Sequence, residues 1–598
     1  MPIYNAPLKD MDFILNDVFK ADEFWQANEN LAHLDMATAN AILEEMAKFS
    51  KNVILDLNRT ADEAGGAQFS NGAVTTPAGF KEAFKQFAEG GWVGLGASEE
   101  WGGQGMPKML TVLADEMIWS ANPSFMLYPL LTVGAGMALN DRASQAQKET
   151  YLPKMYSGEW SGTMCLTEPH SGTDLGIIKT KAEPNADGSF SITGTKIFIT
   201  SGEHDLCENI IHLVLAKTPN APAGSRGISL FIVPKFLVNA DGSLGERNAV
   251  AAGSIEHKMG IKGSATCVMN FDGAQGYMVG NENEGLAAMF VMMNAARLGV
   301  GMQGLGISEV AYQNAVTYAK ERLQGRSLKG ATQPDKPADP LVVHPDIRRM
   351  LLTMRAYTEG NRMLAVWMAR QLDISLHATD PVQKQTAEDF VALMTPIVKA
   401  FMTDCGSEIA NLGMQVYGGH GFIREWGMEQ FVRDARISQI YEGTNGVQAL
   451  DLVGRKMPAH LGRNLRPFFH EVSHYLSDKQ ADSRPEIQPF VQGLAKAFGR
   501  LQTVTGWLAE KGLSNPEEGG GAATDYLRLF ALVTLAYLWL RAIEIALEKR
   551  AGDEALFYQA KLDTARFYYE RLLPQTGALM SIIMSGCGSL MSFNAEAF

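Results

Sequence analysis

The sequence predicts an α+β chain of several domains: helices first, a strand-rich middle, then helices to the end. Three observations carry this. The 598 residues are about four times the ~150 of an average domain. Apolar residues recur at three- and four-residue spacing on both sides of residues 161–280, which is the helical period. Within those limits, short β-branched and aromatic runs alternate with turns.

Helical spacing over residues 34–58, 80–90 and 108–155 predicts a first helical domain, residues 1–160. It is interrupted by GGWVGLGASEEWGGQGMP (90–107), whose glycines and closing proline suit a loop. Strands are expected at 177–182, 190–200, 210–216 and 227–233, in a β domain of residues 161–282. The helical period returns at 284–323, 344–377, 387–417 and 446–456, which makes residues 283–466 a second helical domain. GRSLKGATQPDKPADPLVVHP (325–345), with four prolines, is a loop excursion within it. A polar stretch with Pro485 and Pro489, a helix, the breaker SNPEEGGGAA (514–523) and helices near 526–550 and 554–573 describe a C-terminal helical domain, residues 467–598. The apolar run 529–540 is only twelve residues between Arg528 and Arg541, short of the ~20 that cross a bilayer, so a buried helix is expected and no transmembrane segment.

Composition narrows the function classes. Hydrophobic residues make up 46% and charged residues 20%, ordinary for globular chains. Fifty-two basic against 66 acidic residues give a net charge of −14, a field that repels phosphate backbones, so no nucleic-acid partner is expected. Five scattered cysteines without CxxC spacing point away from zinc ribbons and disulfide frameworks and towards a reducing compartment. The opening MPIYNAPLKDMDF carries Lys9, Asp10 and Asp12, neither a signal-peptide core nor an Arg-rich transit pattern, so a cytoplasmic location is expected.

Three segments carry chemistry. MCLTEPHSGTDLG (164–176) follows a strand with a Thr-Glu-Pro turn and the pair Gly172-Thr173, offering amides and hydroxyls to an anion or a polar ring edge. GTKIFITSG (194–202) reads as a strand with Phe198 and Thr200 on one face, an aromatic shield beside a hydroxyl donor. QVYGGHGFIREWGMEQFVRDARISQIYEGTNGVQALDLV (415–453) sets Glu442 in a loop. Gly443 gives that loop conformational freedom, and Thr444 or Asn445 is expected to cap the following helix, as a rigidly held general base requires.

In order and wording these segments resemble the acyl-CoA dehydrogenase family over about residues 34–456. The resemblance runs through GGQG (102–105), TEPxxGTD, the KxFIT strand from Lys196, MGIKGS (259–264), GGHGF (418–422) and RDARISQIYEGTN. It implies a helical N-terminal domain, a middle β-barrel and a helical bundle, with FAD held between barrel and bundle. By position, Met164, Leu166 and Thr167 would meet the flavin, Gly172 and Thr173 the pyrophosphate, and Phe198 and Thr200 the isoalloxazine. Arg322, Gln415 and Gly419 would reach the adenosine half of an FAD in a neighbouring subunit, and Thr444 would touch the cofactor from the catalytic loop.

Glu442 resembles the family's base, removing the α-proton of an acyl-CoA while the β-hydrogen leaves as hydride to the flavin and a trans-2 double bond forms. Some members place the base at the position that here is Ala296, which cannot serve. Asn294, Arg297 and Tyr441 match residues on the substrate side. Two departures stand out: Leu-Gln-Gly-Arg follows Arg322 without an aromatic, and Gly446 stands where many relatives have glutamine. The N-terminal segment, the 325–345 excursion and the C-terminal domain resemble the large bacterial subfamily that includes 3-methylthiopropionyl-CoA and medium- to long-chain enzymes, for which a homodimer and electron transfer to an electron-transfer flavoprotein are expected. Small Ala121, Pro123 and Ser124 beside large Met126 and Tyr128 favour medium to long chains, with 3-methylthiopropionyl-CoA as the alternative. An acyl-CoA oxidase and an inactive scaffold relative are remoter readings.

Overall fold

The computed structural model describes residues 2–598. Helices α1 (Met36–Phe49), α2 (Phe80–Glu89), α3 (Lys108–Ala121), α4 (Pro123–Arg142) and α5 (Gln145–Tyr156) precede the seven strands of the main sheet. These are β1 (Trp160–Cys165), β2 (Lys181–Pro184), β3 (Phe190–Thr200), β4 (Asn209–Ala216), β5 (Ser229–Pro234), β6 (Val250–Ile255) and β7 (Thr266–Val279). Then follow α6 (Gly285–Glu321), α7 (Pro345–His377), α8 (Pro381–Tyr417), α9 (Met428–Arg436) and α10 (Asn445–Asp451). The C-terminal helices are α11 (Arg466–Gln480), α12 (Gln488–Ser514), α13 (Pro516–Lys549), α14 (Ala555–Phe567) and α15 (Gln575–Met584). Two compact units result, one of residues 46–107 and 117–299, the other of residues 2–45, 108–116 and 300–598.

In the strand-bearing unit, α2 buries Phe80, Ala83, Phe84 and Phe87, the i, i+3, i+4, i+7 stripe of an amphipathic helix, with three of these rings against Phe125 of α4. The seven strands form one sheet in the order β1-β4-β5-β7-β3-β2, with β6 on β7. β7 serves three partners: residues up to Gly276 pair with β3, Cys267–Phe271 also pair with β6, and Tyr277–Val279 pair with β5. A parallel bridge between Lys181 and Lys217 draws the β2 edge back to the end of β4, closing the sheet on itself. Ile192, Ile199, Val214, Phe231, Cys267 and Phe271 fill its interior. The expected strand at 177–182 starts only at Lys181, because Leu175–Ile177 is a 3-10 turn capped by Asp174.

The helical unit is stitched by buried charge. Arg362 of α7 donates to Asp10, Glu116 and Glu309, and Lys561 of α14 donates to Asp10 and, at 2.7 Å, to Glu359. These carboxylates raise the Arg362 pKa well above its ordinary value although burial alone would lower it. α6 and α8 cross at Gly304 and Gly406: a Cβ on Gly304 would stand 2.3 Å from the Met402 carbonyl oxygen. The apolar run in α13 is buried, from Leu529 to Leu540. α6 and α13 are each long and apolar enough to cross a membrane, and 61% and 83% of their most apolar windows are buried inside the protein.

The breaker expected at 514–523 is instead the first turns of α13. Asn515 accepts from the Glu517 amide, Pro516 sits at the first helical position, and Gly521 packs closely beneath Cys587 and Leu590.

Candidate active site

The loop around Glu442 is fixed to the helical unit from three sides. Tyr441 donates its hydroxyl to Gln303 Oε1 at 2.6 Å, and Gln303, fully buried on α6, stands next to the Gly304 crossing. Asn445 donates to Asp404 Oδ1 at 2.8 Å and to the Ala400 carbonyl at 3.1 Å, and accepts from buried Lys399 at 2.9 Å. Gln439 also donates to Asp404 Oδ1, at 2.6 Å. Between these anchors Glu442 has φ 56 and Gly443 φ 77. A non-glycine in the left-handed region costs on the order of 1–3 kcal/mol and persists where its surroundings over-determine it.

The caps expected from Thr444 and Asn445 are not made. The Thr444 hydroxyl donates to the Gln439 carbonyl at 3.1 Å, and the Asn445 side chain turns to α8. Burial, and then the Glu442 charge, push the Tyr441 hydroxyl pKa well above the usual phenol range, so it remains a donor.

The strand-bearing unit assembles the second group of predicted residues. Cys267 pairs with Ile199 and Met269 with Lys196, so Ile197 and Phe198 both stand opposite Val268 in a β-bulge. This bulge decides which side chains show. By strict alternation Lys196 would share a face with Phe198 and Thr200, yet Lys196 is fully buried while Phe198, at φ 58, is 59% exposed. Thr200 is half-buried, and the buried Ser201 hydroxyl beside it has no hydrogen-bond partner among the described residues.

Turned inward, Lys196 donates to the Leu166 carbonyl at 3.0 Å and to Glu168 Oε1 at 2.9 Å. Glu168 also accepts from the Thr180 hydroxyl at 2.6 Å and the Lys179 amide at 2.7 Å, and Ile197 donates to the Thr167 carbonyl at 2.9 Å. Burial would raise the Glu168 pKa, but Lys196 and these donors hold it below its usual value. The TEP turn stands out in the sequence, whereas the Lys196–Glu168 pair spans 28 residues and leaves no local signal there. The turn is thus rigid, Met164 and Thr167 are half-buried, and Gly172 and Thr173 are exposed, with open space around Gly172. An exposed aromatic in a strained conformation, an orphaned hydroxyl next to Thr200 and an open glycine fit a flat, polar-edged cofactor with a phosphate tail.

The remaining residues fall in two places. Arg297, 7% exposed, donates to exposed Asn294 at 3.2 Å. Arg322, Gln415 and Gly419 are all exposed near the C-terminal ends of α6 and α8, which are joined by the Tyr318–Tyr417 stack at 4.0 Å.

Models described as the acyl-CoA dehydrogenase N-terminal, middle and C-terminal domains match residues 36–159, 163–274 and 283–457. One described as acetyl-CoA dehydrogenase C-terminal like matches residues 468–594. The 3-methylmercaptopropionyl-CoA dehydrogenase of Ruegeria pomeroyi is 42% identical over 98% of this chain and 99% of its own. The chain belongs to the acyl-CoA dehydrogenase family. Its members are oxidoreductases that act on CH–CH bonds and use FAD. The broad-specificity linear acyl-CoA dehydrogenase FadE5 of Mycobacterium tuberculosis is 32% identical over the full length of both chains. The solved acyl-CoA dehydrogenase of Bacillus anthracis complexed with FAD shares the fold, with a TM-score of 0.74 at 21% identity over 92% of this chain and 89% of that one.

Proposed function

We propose that this protein carries out the FAD-dependent α,β-dehydrogenation of a short acyl-CoA thioester, with 3-methylthiopropionyl-CoA as the favoured substrate and Glu442 as the base. The observation that carries the chemistry is Glu442 itself: a carboxylate held in left-handed backbone by a loop anchored through Tyr441 and Asn445. Glu442 takes the α-proton, and its amide N–H donates to the thioester carbonyl where charge develops. Bound FAD supplies the acceptor for the β-hydride that leaves as the trans-2 double bond forms. Phe198 would cover the flavin ring and Thr200 would donate to it, Met164, Leu166 and Thr167 would flank it, Gly172 and Thr173 would meet the pyrophosphate, and Thr444 would touch the cofactor from the loop. Arg297 and Asn294 hold the CoA arm.

Two observations support the short substrate over the medium-to-long preference. One is the 42% identity to the Ruegeria protein along nearly the whole of both chains. The other is the segment from which the longer preference was read: Ser124, Phe125, Met126 and Tyr128 are all buried, and the Tyr128 hydroxyl is fixed between the Gly263 carbonyl at 3.0 Å and the Ala265 amide at 3.1 Å, a packed wall. An electron-transfer flavoprotein as acceptor and a homodimer complete the proposal. Exposed Phe422 and Ile423, beside exposed Arg322, Gln415 and Gly419, suit a second copy covering that end of the bundle.

The test is anaerobic mixing of the holoenzyme with butyryl-, octanoyl-, palmitoyl- and 3-methylthiopropionyl-CoA, for wild type and Glu442→Gln. Flavin bleaching in wild type alone, with the largest kcat/KM on the methylthio substrate, is the expected result. A maximum at octanoyl-CoA or longer restores the longer-chain reading, stoichiometric hydrogen peroxide in air makes the protein an oxidase, and no bleaching with any thioester overturns the proposal.

A further inference from the structure

We propose that a cavity remote in sequence from the dehydrogenation residues binds an amphipathic carboxylate, a hydrocarbon tail carrying one carboxyl group. The cavity, about 930 Å³, lies among the C-terminal end of α7, the first turns of α8, helix α11 and Tyr537 of α13. That volume lies within the ~300–1,000 Å³ of small-molecule sites.

Its chemistry is divided. Phe390, Tyr537, Pro467 and Val382 give it apolar walls, with Val382 72% exposed at the edge. Along α11, Arg466, His470, His474 and Asp478 follow at four-residue spacing and so share one face of the helix.

The acidic groups around the cavity are engaged within the protein. Asp389 accepts from Arg463 at 2.6 and 3.0 Å, Glu471 accepts the Tyr537 hydroxyl at 2.7 Å, and Asp478 stands 3.2 Å from His474 Nδ1. Arg466 differs from these: its guanidinium makes no hydrogen bond or ion pair with any described residue. One uncompensated fork of donors beside an apolar wall is the recognition chemistry of a carboxylate with a hydrocarbon tail.

The chain entering the site is strained in the manner of a functional segment. His460, Leu461 and Gly462 have φ of 50, 58 and 78, three left-handed residues in a row, two of them not glycine, directly before Arg463. Leu461, 95% exposed, gains no burial from this conformation, so the turn serves to set the position of Arg463 and Arg466.

The experiment measures octanoate binding by calorimetry to the holoenzyme whose acyl site is already saturated with a 2-enoyl-CoA, with octanol and inorganic phosphate as comparison probes. Saturable binding of one octanoate per chain is expected. It should weaken about tenfold in Arg466→Gln, as a charge-assisted hydrogen bond is lost, and about as much in Val382→Asp, which sets a like charge at the edge. Both positions are exposed, so melting temperatures should match wild type. Arg466→Lys should retain most of the affinity, and octanol and phosphate should each bind far more weakly. The proposal is overturned by the absence of saturable octanoate binding, by octanol or phosphate binding as tightly, by unchanged affinity in both variants, or by competition between octanoate and the enoyl-CoA.

Discussion

Tyr441 donates its hydroxyl to Gln303 at 2.6 Å, linking the residue beside the proposed base to the buried face of α6. Tyr441→Phe removes the donor and leaves a buried amide oxygen unsatisfied, a cost of about 1–3 kcal/mol. The same change loosens the loop that orients Glu442. The expected outcome is a lower melting temperature and a roughly tenfold fall in kcat, with the flavin spectrum and FAD content unchanged. Stopped-flow bleaching with denaturation on the same preparations checks it; an unchanged kcat would mean that the Asn445 and Gln439 anchors hold the loop without Tyr441.

Lys196 and Glu168 make the second prediction. Both are buried, and together they pin the Leu166 carbonyl and the start of β2. Lys196→Met leaves Glu168 as a buried carboxylate without its cation, a loss of about 3–5 kcal/mol, and frees the TEP turn. The variant should purify with little FAD and unfold at a lower temperature. Adding Glu168→Leu should recover part of the stability without recovering the cofactor, because the turn stays unpinned. Cofactor retained at wild-type level in Lys196→Met would remove the pair from any role in holding FAD.

The fold class and the loop around Glu442 were legible in the sequence because both rest on local pattern. The stripe of α2 and the Tyr-Glu-Gly-Thr-Asn motif each lie within a few turns of chain. What the sequence concealed depends on partners far away in the chain. Phe198 and Thr200 do share the outer face of β3, but a period of two would have put Lys196 there as well, and only the bulge opposite Val268 separates them. Three glycines at 519–521 read as a break, yet the Asn515 cap and packing beneath Cys587 outweigh their weak helix propensity. Thr444 or Asn445 is the cap the sequence suggests for α10, yet Thr444 turns to the Gln439 carbonyl and Asn445 reaches Asp404 on α8, 41 residues back.

Asp373 predicts how stability follows pH. Its carboxylate accepts the Lys108 and Met109 amides at 2.6 and 3.0 Å, capping α3 from α7, while burial pushes its pKa up to about 7 from 3.8. The native state therefore keeps a proton that the unfolded chain releases above pH 3.8, so native protein binds more protons between about pH 4 and 7 and stability falls as pH rises through that window. Above pH 7 the full cost is present. Asp373→Asn removes the titration, at the expense of one accepting oxygen. Its melting temperature should lie below wild type at pH 5, and the gap should narrow or reverse by pH 8. A gap constant across that range would show that Asp373 is ionised throughout.

Two glycines separate close approach from open space. At Gly304 a Cβ would meet the Met402 carbonyl at 2.3 Å, and backbone on both helices cannot yield without moving α6 from α8. Gly304→Ala should therefore cost about 1–3 kcal/mol or more and, because Gln303 moves with the helix, reduce kcat through the hydrogen bond to Tyr441. Gly446 is the contrast: it lies in the first turn of α10, and nothing stands within 4 Å of the Cβ it would gain. Gly446→Ala lowers only the entropy of the unfolded chain and should stabilise by about 0.5–1 kcal/mol with kcat unchanged. Denaturant midpoints and kcat on the two variants test both halves. If Gly446→Ala lost activity while gaining stability, freedom of the segment after Glu442 would be part of turnover, and the rigid-loop account built on Asn445 and Tyr441 would fail.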